Sequence, residues 1–369
     1  MTAARTISRK KMGISTLLGS IFIIATIVWG LVSFVEIQGN MVRTEIPHEE
    51  YSSVAPWPYN IEWSGGKSNW FDNLNYTDVP LDQQLPEDLL DQLDHVIFYV
   101  TPEDPPQLWR TGAYDEYDGS SWGKSSTATA DFKPHLITKQ DAEAIGNQIY
   151  TVVLNVTAGP NVGSIEIPTL FPSILVIQDS FTTGHVENGV YQRDAESRLI
   201  QYDLETDDYG TLMFSPMIEA PTGEHVLISY DITFENQDLT NIADNALPGD
   251  QAPPNIRDMY GRPALGGVQL TQRVIDNISQ FEGVGDNALE TASIVATYFQ
   301  NTFSLMINES QYAQRPESGR EVTDWFLERG GGLPMDFATA YCVFMRYLDI
   351  PARLVIGYTV GDPEGGYRT

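Results

Sequence analysis

The chain has 369 residues, 42% of them apolar and 11% aromatic, which excludes a disordered or low-complexity protein. A formal net charge of −29 sets Coulomb repulsion against nucleic acid and anionic lipid before any specific contact forms. One cysteine, Cys342, excludes an internal disulfide, so packing must hold the fold; the redox compartment stays open.

Residues 1–11 are basic, with Arg5, Arg9, Lys10 and Lys11. From Met12 to Val35 the run MGISTLLGSIFIIATIVWGLVSFV carries no charge. At about 1.5 Å per residue it would reach roughly 36 Å as a helix, enough to cross a hydrocarbon core with some tilt. It predicts a transmembrane helix over 12–36. A cleaved signal peptide would have an apolar region of about 7–15 residues and a small-residue cleavage site, and neither is evident. Bases before the run and acids after it place the N-terminus in the cytoplasm and the bulk of a single-pass cell-membrane protein outside. Beyond those leading bases the chain carries 50 acids against 17 bases, a balance that fits a salt-adapted surface. The sequons at Asn75, Asn155, Asn277 and Asn308 are candidate glycosylation acceptors on that outer side, although so short a pattern is common by chance.

Residues 37–94 are rich in Trp, Tyr, Pro and Asn without a clean period, and read as a juxtamembrane stalk or packing arm. Over 95–238 the period is two. In HVLISYDITF, Val226, Ile228, Tyr230, Ile232 and Phe234 share one face and Leu227, Ser229, Asp231 and Thr233 the other, as in a half-buried antiparallel strand. Turn-rich breaks such as TAGPNVG and APTGEH separate such runs, so a β-sandwich-like extracytoplasmic domain is expected. Within it AYDEYDGSSW, 113–122, gathers three acids near a glycine. Its spacing departs from a calcium loop, and a hairpin closed by Asp118-Gly119 is the simpler account. His48, His95, His135, His185 and His225 are scattered without metal-ligand spacing. No metal or cofactor is implied.

Residues 239–255, with NALPGDQAPPN, have the composition of a linker. The period then becomes helical, with Leu289, Ala292, Ala296, Phe299 and Phe303 on one stripe. Ser318 and Glu321 are spaced as a capping box before Val322, Trp325 and Phe326, with Gly330 to end that helix. RGGG at 329–332 lacks the Lys-Ser/Thr of a phosphate-binding loop.

Next comes GGLPMDFATAYC, 331–342, where glycines lead into a helix with Pro334 in its first turn. Phe337, Ala340, Tyr341, Phe344, Met345 and Leu348 form its apolar face, and DIPARLVIGY turns through a proline into a strand. These residues resemble the transglutaminase-like superfamily of thiol enzymes, whose signature is G-x-C-x-x-F-A at a helix start and then G-I-P-A-R-x-V-x-G-Y. The matching positions here are Gly332, Phe337 and Ala338, later Arg346, and then Ile350, Pro351, Ala352, Arg353, Val355, Gly357 and Tyr358. LWRTGAYDEYDGSSW looks like the β-rich region before this core in membrane-anchored prokaryotic members.

The resemblance implies an α+β transglutaminase-like core over 256–369, with a helix from about Pro334 to Leu348 packed on a strand at 354–358. It also implies a catalytic cysteine at the position of Pro334, and a histidine and an acid on later strands. Here the nucleophile position holds proline, which suits an early helical position because no amide donor is missed. No histidine occurs among the eleven residues after Tyr358, and all five lie upstream, so the core is expected to be incomplete at its C-terminus, as in a fragment, a split gene product or a chain completed by a partner. Two functions compete: a non-catalytic binding or structural envelope module, or a thiol acyltransferase or protease acting on peptide or glutamine amides. The expected partners are the membrane and a peptide or envelope protein.

Overall fold

The structure is a computed structural model that describes residues 24–27, 78–80, 98–101, 108–126, 128–131, 136–144, 148–158, 165–169, 175–187, 190–233, 246–306, 315–317, 319–359, 363–364 and 367–368. It mixes helix and sheet, as the α+β expectation requires. Within the run predicted to cross a membrane, only β1 (Ile24–Ile27) is described; the rest of 12–36 lies outside the described residues. Among the described residues no helix is long and apolar enough to cross a membrane. Of 37–94, only β2 (Asp78–Pro80) is described.

The alternating sequence that follows builds β3 (Phe98–Thr101), β4 (Leu108–Tyr114), β5 (Glu116–Tyr117), β6 (Ser121–Gly123), β7 (Thr129–Asp131) and β8 (Leu136–Ile137). After the short helix α1 (Lys139–Ala144) come β9 (Ile149–Thr157), β10 (Ile165–Glu166), β11 (Leu175–Ile177), β12 (Thr182–Glu187) and β13 (Val190–Arg193). Three longer strands complete this part: β14 (Leu199–Asp207), β15 (Leu212–Ile218) and β16 (His225–Thr233).

A wide sheet runs β13-β12-β16-β9-β3, and a smaller one runs β10-β15-β14-β7. They share one apolar core, with Val152, Leu154, Val226 and Ile228 from the first and Leu212 and Phe214 from the second. Phe181 stacks between Phe214 and Tyr230, at 4.8 and 5.1 Å between ring centroids.

Strand β16 departs from the half-buried expectation. Val226, Ile228, Tyr230 and Ile232 are buried as expected, but Ser229, Asp231 and Thr233 on the opposite face are buried too. Tyr99, Val153 and Tyr191 form a second small cluster there with Leu227. Two of these polar groups are paired: the Asp231 carboxylate accepts from Thr151 Oγ1 at 2.6 Å and meets Arg193, and Thr233 Oγ1 donates to the Gln148 carbonyl at 2.7 Å, whereas Ser229 Oγ is buried without a partner.

The second part carries α2 (Pro254–Tyr260), α3 (Gln272–Ser279), α4 (Ala288–Thr302), β17 (Ser304–Leu305), α5 (Val322–Arg329), β18 (Gly331–Gly332), α6 (Pro334–Tyr347) and β19 (Ala352–Thr359). A final hairpin, β20 (Pro363–Glu364) with β21 (Tyr367–Arg368), joins the wide sheet beside β3. The described part of the predicted linker holds a 3-10 turn, Gly249–Gln251, and the start of α2.

Caps set the helix starts. Thr271 accepts from the amide of Val274 and Asn287 from that of Glu290. For α5 the predicted Ser318–Glu321 box is corrected: Glu321 is itself the N-cap, and its carboxylate accepts from the amides of Thr323 and Asp324. The backbone is still extended at Glu321, so its side chain meets the free amides of the first turn. Ser318 lies outside the described residues. Gly330 ends α5 at φ 76, the left-handed conformation that glycine adopts without strain.

Strands β4 and β19 pair and form a wall shared by two cores. Leu354 and Ile356 face the helical core, Trp109 enters the core between the sheets, and Ala113 and Val355 meet Tyr209. The hairpin closed by Asp118-Gly119 forms as expected, with Gly119 at φ 104. It docks on the helices: Tyr114, Tyr117 and Trp122 belong to the helical core, although their sequence lies in the β-rich stretch.

Candidate active-site position

The approach to α6 is made by two glycines. Strand β18 pairs in parallel with β17, Ser304 opposite Gly331 and Leu305 opposite Gly332. Gly331 has φ 152, and a Cβ there would fall 1.9 Å from the carbonyl oxygen of Ser304. A Cβ on Gly332 would fall 2.7 Å from Asp336 Oδ2. Only side-chain-free residues let the backbone pass so close to its neighbours.

Leu333 caps α6 without a side-chain acceptor, and Pro334, half-buried, opens the first turn where its missing amide costs nothing. Asp336 reaches back to accept from the Leu333 amide at 2.8 Å. Its carboxylate is fully buried and gripped by the Arg315 fork, Nη1 to Oδ2 at 2.7 Å and Nη2 to Oδ1 at 2.8 Å. The Arg315 side chain is itself only 3% exposed. Arg315 and Arg329 also approach the Trp325 ring, at 5.3 and 5.0 Å. Burial holds the Arg329 guanidinium below its ordinary range; Arg315 acts in the same direction and Asp336 against it.

A helix N-terminus favours negative charge. Here that charge is the Asp336 carboxylate, neutralised in turn by Arg315, so the position is electrostatically complete without a thiolate.

Cys342 lies about 12 Å of helical rise beyond Pro334. It is fully buried, and burial pushes its thiol up to about 11 against the opposing pull of Arg346. At neutral pH it is a protonated core residue. Arg346, also fully buried, donates from Nε to the Ala352 carbonyl at 2.8 Å and from Nη2 to the Asp115 carbonyl at 2.7 Å. Its guanidinium lies 4.9 Å from the Trp122 ring, and Trp122 Nε1 donates to Thr339 Oγ1 at 3.0 Å.

The other motif residues divide between helix start and wall. Phe337 packs 4.8 Å from the Phe326 ring, and Ala338 is buried. Pro351 leads into β19, and Arg353 lies 6.0 Å from the Tyr260 ring. Gly357 sits at a bulge where a Cβ would fall 1.9 Å from the Trp109 carbonyl oxygen. Tyr358 meets Phe98 edge-on at 5.7 Å.

The described histidines, His185 and His225, stand on β12 and β16 of the wide sheet, both exposed. His185 Nδ1 is 2.7 Å from Asp194 Oδ1. His48, His95 and His135 lie outside the described residues, as do Asn75 and Asn308. Asn155 is half-buried on β9, and its Oδ1 is buried without a hydrogen-bond partner. Asn277 donates to the Arg273 carbonyl at 2.9 Å. Among the described residues no three His, Cys, Asp or Glu side chains gather to hold a metal ion. A small apolar notch lined by Leu247, Pro248, Ala252, Ala288 and Pro351 lies toward the opposite end of α6 from Pro334.

Sequence reasoning did not pick out Arg315 and Asp336 as a pair. The available signal was an acid at the third helical position, which commonly caps its own helix.

Residues 278–368 match the family described as the transglutaminase-like superfamily, a span that contains the glycine entry, α6 and β19. No curated protein and no solved structure matches the chain.

Proposed function

We propose that the transglutaminase-like domain at 278–368 serves this chain as a non-catalytic module, binding or bracing a peptide or envelope protein on an inactivated thiol-enzyme fold. The observation that carries this reading is Pro334 in the first turn of α6, where the family resemblance calls for a cysteine. A thiol enzyme gains from that position because the helix dipole and free amides stabilise a thiolate. Proline offers no nucleophile, and Cys342 is a buried, protonated thiol.

Changing Pro334→Cys tests this. The new thiol should titrate below the ordinary value of about 8.5 and alkylate faster than Cys342. It should still lack acyl transfer, since the described histidines, His185 and His225, stand on the wide sheet rather than on an element of the helical core. Iodoacetamide rates against pH and a glutamine-donor transfer assay read the two halves separately. Transfer by the parent protein, abolished by Cys342→Ala, would instead establish the thiol acyltransferase or protease reading.

The same proposal tethers the module to the cell membrane through 12–36, with the N-terminus in the cytoplasm and the acidic bulk outside. Its support is the uncharged run behind four bases. Protease added to intact cells should remove most of the mass; protection until lysis would reverse the orientation.

A further inference from the structure

The smaller sheet turns one face to the core, and on the other Gln201, Asp203, Glu205 and Met217 are exposed while Asp207 near the turn is buried. Tyr202, Leu204 and Phe214 point inward, so Gln201, Asp203 and Glu205 of β14 point outward, opposite Met217, Ser215 and Met213 of β15. By strict alternation Ile200 would join Tyr202 and Leu204 inside. A register shift between Leu199 and Gln201 breaks the alternation there. Ile200 is consequently 61% exposed, and Met217, the partner of its neighbour Gln201, is 57% exposed. These are the two most exposed large apolar side chains among the described residues. A bulge that re-aims a side chain toward water is a recurrent device near binding surfaces.

Charge completes the description of this face. Asp203 and Glu205 continue it beyond the apolar pair, at the alternating spacing of one strand face. Among the described residues, Arg198 beside one end of β14 donates to Glu224 at 2.6 Å, and Lys124 beside the other donates to Asp207 at 3.0 Å. Among the described residues neither Asp203 nor Glu205 has an ion-pair partner, so the face presents an apolar spot beside two free carboxylates. A second copy of this chain, also at −29, would be repelled from it.

We infer that the outer face of β14 and β15 docks a basic amphipathic helix of a partner protein, its apolar side chains on Ile200 and Met217 and its lysines or arginines on Asp203 and Glu205. Helix on sheet is an ordinary packing layer, and complementary charge would orient the helix along the strands. The inference is independent of Pro334 and stands whether or not the transglutaminase-like domain is catalytic.

The test uses the full chain and a synthetic leucine–lysine amphipathic helix as probe, with its leucine–glutamate counterpart as control. Fluorescence anisotropy should detect binding of the basic peptide only. Ile200→Ser with Met217→Ser should weaken it about tenfold or more, because both side chains lose their cover. Asp203→Asn with Glu205→Gln should weaken it at low salt and flatten its salt dependence. Leu247→Ser with Val284→Ser, exposed apolar residues elsewhere, should leave it unchanged. If the Ile200/Met217 variant binds like the parent, diffuse charge holds the peptide and the inference fails. It also fails if sedimentation finds a dimer that this variant dissolves, since a second copy would then cover the face.

Discussion

Asp336 shows how a single residue can decide what a helix start does. Its carboxylate caps the Leu333 amide, answers the helix dipole and neutralises Arg315, all without contact with water. Buried ion pairs resist the loss of one partner more than the loss of both, because the survivor keeps an uncompensated charge in a poor solvent. Asp336→Ala is therefore expected to cost about 3–5 kcal/mol. Replacing both, Arg315→Met with Asp336→Leu, should cost less than the two single changes together, as urea unfolding of all four proteins would measure. Additive losses would mean that the pair acts as two independent groups. Tertiary placement decided this pair; local spacing shows only an acid in the first turn.

At the scale of elements, the turn between β14 and β15 docks on the β4–β19 wall through polar contacts around few apolar atoms. Arg110 Nη2 donates to the Tyr209 carbonyl at 2.7 Å, and Lys124 reaches both Asp207 at 3.0 Å and Glu166 at 3.5 Å. Burial raises Glu166 above its ordinary range, with Asp207 adding to the effect and Lys124 and Arg110 opposing it. The folded protein thus holds this proton more tightly than the unfolded chain, where the carboxyl keeps its ordinary 4.5. Its stabilising contribution is full below pH 4.5 and is lost as pH rises through the raised folded value. Glu166→Gln should flatten the pH dependence of stability in that window, measured by chemical denaturation across a pH series. An unchanged slope would show that another carboxyl controls it.

For the whole molecule, two cores that share the β4–β19 wall must cohere against a net charge of −29. Like charges destabilise a compact state and salt screens them, with a Debye length of about 10 Å at 0.1 M falling to about 3 Å at 1 M. The melting temperature should rise by several degrees or more between those salt concentrations with chloride as the anion. A flat or falling response would mean that the local ion pairs, such as Arg320 with Asp324 and Arg273 with Asp324, outweigh the net repulsion.

Much of this architecture follows from the sequence alone, because its determinants act over a few residues. Period-two alternation marks β16, Gly330 ends α5, and Pro334 opens a helix that closes at Tyr347, one residue before the expected Leu348. The motif from Gly332 to Tyr358 is likewise a run of neighbours, and its residue types by themselves mark the transglutaminase-like domain. Tertiary structure alone decided what depends on the path of the chain. Trp122 meets Thr339 across 217 residues, and Arg346 meets Asp115 across 231. The second face of β16 is buried because distant segments cover it, and the β-rich hairpin lies in the helical core because its aromatic side chains find cover there. Periodicity and capping report what a segment would bury, whereas the partner that buries it is set by contacts no local window contains.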